Sequence, residues 1–166
     1  MTVVLRGLGL AVLAVIAVVW YVTPGRAAER WVAQMEEEEG GPAMIASVEG
    51  EGEGDFPPMI RMMCGGDEPS VSLRYLMGSD SELTPVPGDE ADFLFENEYD
   101  QLTVHMLYED MDGAFAAYVS KSDPLIEMIK FGSDLIITPS LPDAAADNFP
   151  LQGATKAIEK LFASCP

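Results

Sequence analysis

The chain is predicted to fold as one mainly β domain with two late helices, an α+β arrangement. The expected architecture is an antiparallel β-sandwich or curled sheet, capped by a C-terminal helix and tied by one long-range disulfide. Three observations predict it. Short runs in which apolar and polar residues alternate recur along the chain, separated by turns rich in Gly, Pro and Asp. Only two stretches, both late, carry apolar residues at spacings of three and four. The two cysteines, Cys64 and Cys165, stand at the end of a strand-like run and on the apolar stripe of the last helix.

Taken in order, Trp31–Met35 reads as a short strand, followed by the acidic run Glu36 to Glu39 and two glycines. Ala43–Val48 is a second strand. Glu49–Asp55, alternating Glu and Gly, has nothing apolar to pack and reads as a hydrated loop. Met59–Cys64 is a third strand. After a turn over 65–69 comes Ser70–Met77, with Val71, Leu73, Tyr75 and Met77 on one face and Ser70, Ser72 and Arg74 on the other. A polar loop over 78–90 leads to Ala91, Phe93 and Phe95 on one face of a strand. Leu102, Val104, Met106 and Tyr108 form the inward set of the next. A turn over 109–113 precedes Ala114–Val119, with Phe115, Ala117 and Val119 inward. Ser122 or Asp123 can cap a helix that has Pro124 in its first turn and Leu125, Ile126, Met128 and Ile129 on its buried face. Leu135–Thr138 is another strand, and Phe149 and Leu151 mark a last one. The closing helix aligns Ala154, Ala157, Ile158, Leu161, Phe162 and Cys165. About eight strands result.

Residues 1–28 read as a signal peptide or a signal anchor, and residues 29–166 as the exported β-rich domain. Arg6 precedes the apolar run Gly7–Val22, and Thr23–Ala28 supplies a helix break and small residues suited to cleavage after Ala27. Trp20 and Tyr21 at the far end of the run suit an uncleaved anchor with the domain outside. Both readings put the domain across a membrane, periplasmic or secreted, or anchored in the inner membrane with the domain outside. There two thiols can be oxidised. A bridge from Cys64 to Cys165 closes a long loop, for which chain entropy assigns roughly 4–5 kcal/mol.

Charge narrows the partners. Nine basic residues face twenty-eight acidic ones, a net of −19. Arg6 and Arg26 precede the first acid, Glu29, so the exported part holds seven basic residues against the same twenty-eight, a net of −21. Such a surface repels phosphate backbones and anionic headgroups, which sets nucleic acid aside. Membrane contact is expected only through residues 2–22, if they are retained. The acidity serves solubility, and it also suits a basic partner or loosely held cations.

Chemistry finds little to stand on. His105 is the sole histidine, so a Ser-His-Asp triad, a Cys-His dyad or most catalytic zinc sites would each rest on it. It sits on the polar face of its strand, where an exposed structural histidine is the simpler reading. Asp110–Gly113 matches a fragment of a calcium loop but lacks the further ligands, and a hairpin turn accounts for the same residues. No phosphate-cradling glycine motif lies between a strand and a helix. No cofactor, metal site or catalytic residue is expected; Cys64 and Cys165 are singled out as structure.

The landmarks follow the order of a known family. An apolar strand ends in Cys64 before a polar hairpin, and the tail has the form F-x-L-x-G-x-x-x-A-I-x-x-L-x-x-x-C, met by Phe149, Leu151, Gly153, Ala157, Ile158, Leu161 and Cys165. This resembles the periplasmic accessory proteins of type VI secretion (the VasI/TagO-like group) and, more loosely, the invasion-associated locus B proteins. The resemblance implies a disulfide-stapled periplasmic domain without enzymatic activity, acting as an accessory to another envelope component such as a secretion assembly. The acidity and the Gly-Glu loop depart from that pattern. The alternative from another class is a cation-binding or hydrolytic envelope protein using His105 and surface carboxylates.

Overall fold

A computed structural model describes residues 30–52, 55–65, 70–79, 81, 83–142 and 144–165. The proposed signal segment lies outside these, as do residues 66–69 of the expected turn and 53–54 of the Gly-Glu loop. The described chain forms one nine-stranded antiparallel sheet and two helices. The strands are β1 (Val32–Glu38), β2 (Gly41–Glu49), β3 (Met59–Cys64), β4 (Ser70–Leu76), β5 (Glu90–Glu96), β6 (Gln101–Glu109), β7 (Ala114–Ser120), β8 (Asp134–Pro139) and β9 (Asp147–Pro150). The helices are α1 (Pro124–Lys130) and α2 (Ala154–Ser164). The sheet order is β1-β2-β3-β4-β7-β6-β5-β8-β9, so β1 and β9 are its two edges.

The sheet is curled rather than split into a sandwich. Tyr75 on β4 and Phe93 on β5 stand three strands apart, roughly 14 Å in a flat sheet. Their ring centroids are 5.4 Å apart. Tyr75 also meets Phe149 of β9, five strands away, at 6.2 Å. Coiling thus brings the inward faces of distant strands against one another, which is how one sheet can bury its own core. Ile60, Leu73, Tyr75, Phe93, Phe95, Phe115 and Phe149 are all but inaccessible. The Tyr75 hydroxyl donates to Asp147, which satisfies the one polar atom that this tyrosine carries into the core.

The inward sets expected on β4, β5 and β7 occupy the core, though Val119 is only half-buried and Met77 lies beyond the end of β4. The acidic run departs from expectation. Glu36–Glu38 belong to β1 instead of following it, because a tight turn at Glu39–Gly40 lets every residue of β1 pair with β2. That turn hands the chain to Gly41, whose φ of 102° lies in the region that favours glycine.

Each helix start and stop has a local cause. Asp123, one of the two expected caps, accepts from the Leu125 N–H at 2.9 Å, and Pro124 follows it. At the other end of α1 the Asn97 amide donates to the carbonyls of Met128 and Phe131, the first of which also accepts from the Phe131 N–H that closes the helix. The apolar stripe of α2 covers the inner face of β1, β2 and β3, with Ala154, Ala157, Ile158 and Leu161 buried and Phe162 half-buried. Gly153 starts this helix at φ 88°, and a Cβ there would lie 3.1 Å from the Trp31 carbonyl oxygen. The same junction is tied by the Trp31 N–H donating to the Gln152 carbonyl at 3.0 Å.

Candidate binding face

Cys64, at the end of β3, and Cys165, the C-cap of α2, form a disulfide with their Cα atoms 5.5 Å apart. The bridge spans 101 positions of sequence and fastens the last helix to the first half of the sheet. It fits an extracytoplasmic compartment. Among the described residues no helix is long and apolar enough to cross a membrane.

With α2 over the inner face, the outer face of the sheet carries the charged chemistry. Arg61 on β3 and Arg74 on β4 are direct cross-strand partners. Two like charges so placed repel, and carboxylates gathered around them offset that. Arg61 donates to Glu36 and Glu38 of β1, at 2.8 Å to each. Arg74 reaches Glu109 at 3.0 Å and Asp112 at 2.9 Å, with Met63 Sδ also against its guanidinium. Burial works against the Arg74 charge, but the Glu109 hydrogen bond and the two carboxylate charges outweigh it and raise its pKa. Tyr118 donates to the second oxygen of Glu109, and that bond, with burial, pushes the phenol above its ordinary pKa. This ordered layer is only half legible in the sequence. Arg74 sat on the polar side of an alternating strand, but nothing in sequence joined it to Glu109 and Asp112.

Asp112 therefore has an occupation other than calcium. The turn it belongs to is closed by the Asp112 and Gly113 N–H groups donating back to Glu109 and Asp110. Among the described residues, no three His, Cys, Asp or Glu side chains gather in a way that could hold a metal ion.

His105 is on the outer face, as its place in the strand predicts, with 61% of its side chain exposed. Its register partner is Asp92 on β5. The ring is held between two carboxylates, Nδ1 at 2.9 Å from Asp92 and Nε2 at 3.2 Å from Glu90. These two hydrogen bonds, Asp92 first, raise its pKa above the ordinary histidine value. Ser140 lies beside Asp92, but its hydroxyl donates to the Asp92 carbonyl at 2.6 Å. Both ring nitrogens thus face carboxylates and not the Ser140 hydroxyl. Two carboxylates clamp the ring from its two nitrogens.

A shallow cleft of about 630 Å³ opens on the outer face at the ends of the first strands, lined by Val32, Gln34, Glu36, Glu49, Met59 and Arg61 among others. It joins an apolar floor to the Arg61–Glu36 ion pair and to the carboxylate of Glu49. No protein-family model matches this chain, and no curated protein or solved structure matches it either.

Proposed function

We propose that this chain is an exported, non-catalytic envelope protein that serves as an accessory or binding module for another envelope component, such as a secretion assembly of the type VI kind. The observation that carries this reading is the charged layer of the outer sheet face. Arg61 and Arg74 are locked against four carboxylates, and His105 is locked between two. Groups so neutralised and oriented suit recognition, which needs fixed direction, better than proton transfer, which needs an available lone pair. The disulfide supports export, and the tail pattern through Cys165 supports the accessory role by resemblance.

In-cell crosslinking of a C-terminally tagged protein, read by mass spectrometry, tests the proposal. Enrichment of secretion-machinery or other envelope proteins over a mock-tagged control is the expected result. Recovery of the bait alone, together with an activity lost in His105→Ala, would overturn it in favour of the hydrolytic or cation-binding alternative.

A further inference from the structure

The β1 edge of the sheet is half closed and half open. Gly50 donates to the Pro58 carbonyl at 2.8 Å, so even-numbered residues of the β2 strand turn their backbone groups toward β3. Odd-numbered residues of β2 then face β1, where Ser47, Ile45 and Ala43 pair with Val32, Gln34 and Glu36. The alternate residues Trp31, Ala33, Met35 and Glu37 consequently aim their N–H and C=O groups out of the sheet. Two of these are covered: the Trp31 N–H by the Gln152 carbonyl, and the Ala33 carbonyl by Lys160 Nζ at 2.7 Å. Met35 and Glu37 have no such cover among the described residues. The opposite edge, β9, is short and ends in Pro150, and Glu51 donates to its Asn148 carbonyl. It is blunted in the usual ways.

We propose that the Met35–Glu37 edge of β1 accepts an extended, basic segment of a partner protein as an added strand. The backbone groups supply the pairing, and the side chains select the occupant. On one face Met35 is 56% exposed beside the exposed Glu37. Glu36 and Glu38 point to the other face and are taken by Arg61. The strand that fits carries an apolar residue against Met35 and a lysine or arginine two positions away against Glu37. A second copy of this chain does not fit, because it would lay one Glu36–Glu39 run within about one strand spacing, roughly 4.8 Å, of the same run in its partner. The net charge of −19 steers a basic segment toward this edge and keeps acidic ones off.

The inference rests on the binding-module reading but fails separately from it. Captured partners in cells bear on the module, whereas the edge amides bear on this site alone. The test uses full-length protein in detergent solution and a short synthetic peptide in which lysine, valine and lysine alternate with threonine. Amide exchange measured by NMR should slow at Met35 and Glu37 when the peptide is added. Met35→Pro removes an N–H that faces away from β2, so the β1–β2 ladder keeps its bonds, and peptide binding should weaken at least about tenfold. Glu37→Lys, which leaves the backbone intact, should weaken it by about threefold or more. Unchanged exchange at both amides overturns the proposal. So does equal binding of a peptide with glutamate in place of lysine, or undiminished binding by both variants.

Discussion

His105 holds a carboxylate at each ring nitrogen on an exposed sheet surface, and its raised pKa has a definite sign for stability. The folded pKa lies above the unfolded value of about 6.5. The stabilising contribution is therefore fully present below about 6.5 and is lost as pH rises through the folded pKa. NMR titration of the ring should give a midpoint above about 6.5, and Asp92→Asn should lower it more than Glu90→Gln. A midpoint at or below that value would sink the clamp. Gly50 makes a different kind of residue-scale prediction. It is buried, and a Cβ there would lie 2.7 Å from the Phe149 ring and 2.9 Å from the Asn148 carbonyl oxygen. Gly50→Ala should cost about 1–3 kcal/mol by overpacking, measured as a lower urea midpoint with an unchanged m-value. Sequence placed Gly50 in a hydrated Gly-Glu loop. What it could not show is that β9 returns to this point, which makes the first glycine of that loop a packing residue.

At the scale of elements, α2 depends on two fastenings of different kinds. Its apolar stripe lies on β1–β3, and Cys165 binds it to Cys64. The bridge acts chiefly on the unfolded chain. Replacing both cysteines by serine should therefore lower stability by about 2–5 kcal/mol while circular dichroism keeps its mainly β signature. Leu161→Ala acts on the folded state instead, removing a fully buried side chain at a cost of about 2–5 kcal/mol. If the two losses add, helix packing and staple are independent, and shortfall in the combined variant measures their coupling. The stripe was legible in sequence because a 3.6-residue period survives any tertiary arrangement. The second half of β1 is less legible: Trp31–Met35 reads as the strand but Glu36–Glu38 as a polar run after it, and an edge strand with one face beyond the cover of α2 need not alternate.

For the whole molecule, charge opposes compaction. Net −19 on 166 residues means that the folded state holds like charges closer than the unfolded chain does, beyond what the Arg61, Arg74 and Lys130 pairs offset. Added monovalent salt shortens the screening length from about 30 Å at 0.01 M to about 3 Å at 1 M. Thermal midpoints should rise with sodium chloride over that interval, and a fall would mean that the paired arginines outweigh the acidic excess.

The amino-acid sequence by itself determined the mainly β class, the helix stripes, the partnership of Cys64 with Cys165 and the outward place of His105. These follow from local period and from the count of two cysteines, which tertiary context does not alter. Only the tertiary structure decided that the strands form one curled sheet in the order β1-β2-β3-β4-β7-β6-β5-β8-β9. It alone set Arg74 against Glu109 and Asp112, and left Met35 and Glu37 at an edge that no other described residue covers. Strand order and cross-strand neighbours come from which faces meet when the sheet coils. An alternating pattern says which side chains point inward, and is silent on which strand lies alongside.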